Sequence, residues 1–281
     1  MKNEPSKQLF VDQSLDSYNS FFDHDWAKAF MKEAENWAVE DLALNLGASW
    51  KGAANAARLP WLVVETLTAF ADGLLNDNQP SAARILDACA TRLGQMVQPP
   101  LSAGQRQSLD QAILFINGEI LEAKRLNPIR YDRQAGWREM LAHPEFLMAV
   151  WSSQRIALAD VFFAYEDFVL SCFRRVTNQP RYRIGRAFLV DLSKAYGPQL
   201  ANDAWDNHGV KVAKLVRHAI AHNGGKETPD LAELRHRIRV IDGGLQVTPA
   251  DTRAVFDDLK TRAMEILCET AARLPNPASV R

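Results

Sequence analysis

One stretch of the sequence concentrates side chains that can act on a phosphodiester. Residues 212–225 read Val-Ala-Lys-Leu-Val-Arg-His-Ala-Ile-Ala-His-Asn-Gly-Gly, and the paired glycines end a predicted helix whose last two turns carry the polar residues. Arg217 offers a planar, permanently charged fork that matches phosphate oxygens. His222 can carry a proton near neutral pH, and its place at the negative end of the helix dipole suits a general acid. His218 and Asn223 are candidates to orient the phosphate or the leaving oxygen.

Helical geometry limits how these side chains can meet. His218 and His222 lie within about 40° of one helical face, whereas Arg217 and His222 are separated by about 140°. One regular helix therefore does not bring the arginine to His222. A second copy of the chain across a two-fold axis, or a distorted last turn, would let both groups converge on one phosphate. The geometry of the helix leaves both arrangements open.

The run Arg217-His-Ala-Ile-Ala-His222-Asn-Gly-Gly resembles the Arg-x4–6-His motif of the HEPN-fold ribonucleases. His218 stands where that family more often has asparagine, so the match is closest at Arg217 and His222. The helices expected over 144–273 would provide the surrounding bundle. The resemblance covers roughly half of the chain, and it concerns one motif and its helical context.

The resemblance implies a mainly α-helical, HEPN-like bundle and a metal-independent endoribonuclease, a homodimer whose composite site lies between its two protomers. In the reaction of that family the 2′-hydroxyl attacks the neighbouring phosphate, leaving a 2′,3′-cyclic phosphate and a 5′-hydroxyl. No cofactor is implied. Such proteins often serve as toxins or in antiviral defence against phage, so an antitoxin or a defence-system partner protein is a further expectation.

An acidic residue on the preceding long helix is a candidate for positioning the site. Glu166 or its neighbour Asp167 would orient Arg217 or His222 through an ion pair. The alternative is that both acids form a packing ion pair or face solvent. The sequence leaves the choice open.

The spacing of the motif is not specific by itself. Arg138 and His143 have the same type of separation, but Pro144 follows directly and Glu139 would repel a phosphate. Context rather than spacing therefore favours the stretch around Arg217.

Three other functions compete with RNA cleavage. His218 and His222 could share a metal ion with the upstream His208, although Ala219 stands where a zinc-hydrolase helix needs a carboxylate. A non-catalytic HEPN-fold module would use the motif only to bind RNA or a protein. A helical interaction protein would instead dock a partner through exposed apolar surface in its Trp-rich first 125 residues.

Charge favours only a local site for RNA. The chain has 33 Lys and Arg against 34 Asp and Glu, a formal net charge of −1, which excludes global basicity as a nucleic-acid signal. Two local basic stretches, residues 174–194 and residues 235–239, lie on either side of the motif in sequence. Tyr182 in the first stretch could stack on a base. Each stretch could equally be a solvated face. The candidate RNA-binding residues are Arg181, Arg183, Arg186, Arg235 and Arg237.

Cysteine usage and hydropathy indicate a cytoplasmic protein. Cys89, Cys172 and Cys268 are scattered singly, which fits a reducing compartment better than a disulfide framework. The first residues lack the apolar core of a signal peptide, and no uncharged apolar run approaches the ~18 residues of a membrane span. We expect no membrane partner.

Hydrophobic periodicity predicts a mainly α protein. Helices are expected over 23–46, 61–75, 81–96, 105–125, 144–176, 185–196 and 249–267, with Gly47 ending the first and Pro60 opening the second. The helix that carries the motif is expected within 199–222. The fifth helix is apolar nearly all round in its middle, which indicates a central position. A short β-hairpin is expected over 235–241 and 245–247, turned at Asp242-Gly243.

Composition divides the chain into two predicted domains. The break is placed at the polar, proline-containing stretch 127–132, giving an N-terminal helical region over 1–130 and a HEPN-like helical bundle over 131–281. The tryptophans before residue 62 fall on apolar helical faces, so we expect them in an aromatic core.

Overall fold

The computed structural model describes residues 6–11, 20–35, 38–76, 87–88, 91–92, 102–126 and 132–274. This part of the chain is mainly helical, with a two-stranded antiparallel hairpin before the last helix, which confirms the predicted fold class at that level. None of the described helices is long and apolar enough to cross a membrane. Most of the helix predicted over 81–96 lies outside the described residues.

The elements follow one another along the chain with short connections. The helices are α1 (Lys7–Val11), α2 (His24–Ala34), α3 (Glu40–Asn76), α4 (Ala103–Leu126), α5 (Arg133–Met140), α6 (Pro144–Thr177), α7 (Phe188–Tyr196), α8 (Pro198–Trp205), α9 (His208–His222), α10 (Pro229–Glu233) and α11 (Pro249–Arg273). The strands β1 (Arg239–Ile241) and β2 (Gly244–Gln246) pair in antiparallel register between α10 and α11.

Two compact units can be distinguished. The first combines Met1–Trp61 with Arg138–Arg281, and the second is Leu62–Trp137. This division differs from the boundary predicted near residue 130, because the first sixty or so residues belong with the C-terminal half. Within the second unit, Arg133 and Glu65 form an ion pair of 3.5 Å between α5 and α3.

Aromatic packing explains why the first unit joins distant parts of the sequence. The ring of Trp26 stacks on Phe30 with centroids 4.6 Å apart, and Trp50 meets Phe256 of α11 edge-on at 5.0 Å. The indole nitrogen of Trp50 also donates to the carbonyl oxygen of Val161 at 2.9 Å. Trp50 is fully buried, so the predicted aromatic core is confirmed for Trp26 and Trp50, whereas Trp37 lies outside the described residues.

The helix α3 is continuous where the sequence predicts a break. Gly47 and Pro60 both lie inside it, so the predictions that Gly47 ends one helix and Pro60 starts another are wrong. A glycine costs a helix only about 1 kcal/mol. Burial of an apolar stripe against the rest of the first unit outweighs that cost. The stripe consists of Leu42, Ala43, Leu46, Trp50, Ala53, Ala54 and Ala57.

The predicted central helix is α6, which packs against α9 and α11. It also contacts α3, since the side-chain amide of Gln154 donates to the carbonyl oxygen of Ala57 at 2.7 Å. One stripe of α6 stays at the surface. Ile156 and Phe163 on that stripe are 53% and 56% exposed, and the intervening Asp160 is exposed as well.

The chain over 199–222 forms most of α8 and the whole of α9. The break falls after Trp205, and the Asn207 side chain caps α9 by accepting from the backbone N–H of Val210 at 2.9 Å. An asparagine that accepts from the backbone in this way starts a new helix. The helix that carries the motif is thus α9, which lies within the predicted range 199–222.

The hairpin turn is of the predicted kind. Asp242 and Gly243 both have positive φ, 48° and 76°, as a type I′ turn requires. The first strand begins only at Arg239, so Arg235 and Arg237 precede the sheet instead of sharing a strand face.

Candidate functional site

The α9 helix is held by an apolar face that leaves its polar face outward. Val210, Ala213, Val216 and Ala219 are fully buried at three-residue intervals, as an amphipathic helix requires. Val216 and Ala219 belong to a cluster that joins α6, α10 and the hairpin. The residues of the motif therefore sit on a helix whose orientation is set by packing on its other side.

The end of α9 is regular up to His222. The backbone N–H groups of Asn223 and Gly225 both donate to the carbonyl oxygen of Ala219, at 3.0 and 2.8 Å. Gly224 and Gly225 have φ of 61° and 77°, the left-handed conformation that ends many helices. Because the last turn is not distorted, Arg217 and His222 stay on different sides of the helix.

The two histidines of the motif lie together. The ring centroids of His218 and His222 are 4.8 Å apart, with planes inclined by 49°, and both residues are exposed. Asn223 is also exposed, and its side chain forms no hydrogen bond with the described residues. The end of α9 thus presents two adjacent imidazoles and an amide to solvent.

Arg217 is directed toward α6. Its guanidinium carbon lies 5.9 Å from the ring centroid of Phe163, a cation–π distance. No described carboxylate lies within ion-pair distance of Arg217. Glu166, the predicted positioning acid, forms no ion pair or hydrogen bond with Arg217 or His222 among the described residues. Arg217 is therefore a half-buried arginine whose charge no neighbouring acid neutralises.

A second arginine, which the sequence reasoning missed, adjoins the glycine turn after α9. The Arg155 guanidinium lies over the Trp151 ring at 4.6 Å and against Gly225, where any side chain would overlap it. Its Nε is buried without a hydrogen-bond partner among the described residues, and burial lowers the pKa of Arg155. The spacing of Trp151 and Arg155 on one helical face hints at the stacking, but nothing in the sequence points to Gly225.

The surroundings of the motif are basic on α9 and acidic on α6. Residues 207–226 contain no Asp or Glu. Phe163, by contrast, lines a groove of about 360 Å³ between α3 and α6 that also contains Asp160 and Asp167. Burial raises the pKa of Asp160. A polyanion is therefore favoured along α9 and disfavoured in the groove.

The arginines of the first basic stretch differ in whether they have a partner within the protein. Arg181, Arg183 and Arg186 are exposed and have no ion-pair partner in the described part of the chain. Arg174, by contrast, donates to the carbonyl oxygen of Tyr182 at 2.9 and 2.7 Å. The Tyr182 hydroxyl donates to Asp191 at 2.7 Å. That stretch therefore supplies three arginines without an ion-pair partner among the described residues. It supplies no aromatic ring that is available for stacking on a base.

Tyr182 does not act as a base-stacking platform. Its ring packs at 4.7 Å from Phe173 and at 5.9 Å from Phe188. Burial and the Asp191 carboxylate raise the pKa of Tyr182 to about 12. The expectation of a stacking partner at this position is wrong, because the ring completes the edge of the core.

The structure also shows where the residues of two alternatives lie, namely the second Arg–His pair and the metal site. Arg138 lies in α5 and His143 caps α6, so the second copy of the spacing is split between helices. His208 begins α9, ten residues before His218 and thus about 15 Å away along the axis. Among the described residues, no three side chains are grouped so that they could hold a metal ion.

The arrangement can bind an anion with Arg217 and exchange protons through two imidazoles, provided that a phosphate reaches both sides of α9. These are elements of acid–base chemistry on a phosphodiester. No protein-family model, no curated protein and no solved structure matches this chain. The site geometry and the motif are therefore the basis for assigning a function.

Proposed function

We propose that the protein is a HEPN-type, metal-independent endoribonuclease with a composite site formed by Arg217 and His222 of two protomers. The 2′-hydroxyl of RNA attacks the adjacent phosphate, so that the 2′-oxygen–phosphorus bond forms and the bond to the 5′-oxygen breaks. His222 gives a proton to the leaving 5′-oxygen, and the neighbouring imidazole of His218, in its neutral form, takes the proton of the 2′-hydroxyl. The products are a 2′,3′-cyclic phosphate and a 5′-hydroxyl.

One observation carries this proposal: Arg217, which has no ion-pair partner among the described residues, and a pair of exposed histidines share a helix end whose own sequence contains no acid. A structural helix end needs neither feature. Arg217 would bind the scissile phosphate and stabilise the charge that develops on it. On the resemblance alone, we further propose a cytoplasmic toxin or phage-defence effector that an antitoxin or defence-system partner controls.

The test is cleavage of a single-stranded RNA by the purified full chain in EDTA. We expect wild type to produce ends with 2′,3′-cyclic phosphate, and Arg217→Ala or His222→Ala to reduce the rate by about 10²–10⁴-fold, because each removes a group that acts in the transition state. The matched controls are Arg138→Ala and His143→Ala, which have the same type of spacing elsewhere. Equal cleavage by all five proteins, or none by wild type, would exclude catalysis at this site.

A non-catalytic RNA-binding or protein-interaction module of the same fold is the second candidate. It is favoured by the separation of Arg217 from His222 within one chain, since α9 is regular to its last residue. In that case Arg217→Ala weakens RNA binding in a mobility-shift experiment, while wild type yields no cleaved product. The cleavage and binding measurements together separate the two functions.

A further inference from the structure

A cleft lies near the opposite end of α9 from the motif. It has a volume of about 450 Å³ and is enclosed by the start of α9, the segment before β1 and the first half of α11. His208 at its edge is 14 residues from His222, which corresponds to about 21 Å along the helix. The cleft is therefore separate from the proposed catalytic site, and its size falls in the range of small-molecule sites.

Polar atoms in the cleft wall lack partners. The His236 side chain is only 7% exposed, and its Nε2 lies 2.9 Å from Oε1 of Glu227. Its Nδ1 is buried and has no hydrogen-bond partner among the described residues, and the same holds for Oδ2 of Asp258. Leaving such buried groups unpaired carries a free-energy cost. A hydrogen-bonding ligand that reaches this wall would remove the cost.

Two arginines stand at the mouth of the cleft. Arg235 and Arg237 are exposed, and neither has a carboxylate within ion-pair distance in the described part of the chain. Their neighbour Arg239 is exposed as well but belongs to β1 and does not line the cleft. Two free guanidinium groups at one opening are suited to a phosphate.

Apart from Gly209 and Asp251, whose carboxylate accepts from the backbone N–H and the hydroxyl of Thr248, the remaining wall is mainly apolar. Val212 and Ile238 are 9% and 6% exposed, and both line the cleft with Val255 and Ala254. The wall can therefore accept the flat face of a ring, with its polar edge directed toward His236 and Asp258. A ligand that fits all three parts has a phosphate, an apolar ring face and hydrogen-bonding ring atoms.

We propose that this cleft binds a nucleotide, with its phosphate on Arg235 and Arg237 and its base against Val212 and Ile238. The nucleotide is either a free nucleoside monophosphate or one unit of an RNA strand. The proposal does not depend on RNA cleavage at Arg217 and His222, because it needs only binding. The proposal assigns a phosphate-bearing ligand to Arg235 and Arg237 of the second basic stretch.

The test is calorimetric titration of the full chain with each 5′-ribonucleoside monophosphate. We expect binding to wild type and a loss of about tenfold or more in affinity for the double variant Arg235→Ala/Arg237→Ala, since two charge-assisted contacts are removed. Arg239→Ala is the matched control and should bind as wild type does. Ala254→Trp fills the apolar part of the cleft from an exposed position and should weaken nucleotide binding while both arginines remain.

The outcomes are distinct. Competition between an RNA oligonucleotide and the bound monophosphate shows that the cleft accepts a unit of the strand, whereas monophosphate binding without competition shows a site for free nucleotides. No binding of any monophosphate up to about 1 mM, or equal losses for Arg239→Ala and the double variant, overturns the proposal. Neither result alters the cleavage experiment, which uses different residues and a different readout.

Discussion

At the scale of single residues, Gly225 connects the helix end to the central helix. It has a left-handed backbone and lies against the guanidinium of Arg155, while its carbonyl oxygen accepts from the backbone N–H of Leu245 at 2.8 Å. The contact of His218 with His222 could be foreseen, because residues four apart share a helical face. The contact of Arg155 with Gly225 could not, since seventy residues separate the two and only the fold brings them together.

We expect Gly225→Ala to destabilise the protein more than Gly224→Ala. Both changes force a left-handed conformation at a cost of about 1–2 kcal/mol, but only the first also displaces Arg155, because nothing lies within reach of a Cβ at position 224. The free energies of unfolding in urea measure the difference. In the background of Arg155→Ala the two penalties should become equal. Equal penalties with Arg155 present would contradict the close contact.

At the scale of elements, the residue that caps α2 also pairs with a lysine of α11. The Asp23 carboxylate accepts from the backbone N–H of Trp26 at 2.9 Å and binds Nζ of Lys260 at 3.0 Å. The hydrogen bond from Trp26 and the contact with Lys260 lower the pKa of Asp23 below its ordinary value of 3.8. Because the folded pKa is the lower one, this stabilisation is present above that ordinary value and is lost as pH falls through the folded pKa.

We expect Asp23→Ala to reduce the free energy of unfolding at pH 7 by about 1 kcal/mol, the usual loss for a helix cap. The difference from wild type should shrink as the pH falls below the ordinary carboxyl value of 3.8. Urea unfolding at a series of pH values measures it. Asp25→Ala is the control, since Asp25 pairs only with Lys28 at 3.4 Å and both are exposed. A difference that stays constant with pH would argue against the role of the Asp23 charge.

Elements that depend on local signals could be predicted, and those decided by distant packing could not. The type I′ turn could be predicted from Asp242-Gly243. Thr248 with Pro249 predicts the start of α11, and the structure contains the capping box there. The continuation of α3 through Gly47 and Pro60 runs against local propensity. It depends on burial against α6 and α11, which the sequence does not reveal.

At the scale of the whole molecule, one chain does not complete the proposed site. Arg217 faces Phe163 while His222 lies on the side of His218, so a phosphate that touches both groups needs a second copy. The sequence already placed Arg217 and His222 on different sides of a regular helix. Because the last turn of α9 is regular and not distorted, we propose the two-fold arrangement as the form of the site.

Mixing two inactive variants tests that arrangement. A dimer of one Arg217→Ala chain and one His222→Ala chain retains one intact arginine and one intact histidine on different protomers. We expect the mixture, after exchange of subunits, to recover part of the RNA cleavage that each variant lacks alone. Recovery would be absent if both groups acted within one chain. Wild type mixed with the double variant serves as the control for subunit exchange.

The discontinuous first unit has a consequence for biosynthesis. Trp26 and Trp50 complete their aromatic cluster only with Phe256, and α9 packs against α11. A ribosome that has translated the chain as far as the motif has therefore not yet released α11, one of the helices that α9 packs against. Because α9 gains this packing only after α11 has left the exit tunnel, we expect an unfinished chain not to present the proposed site.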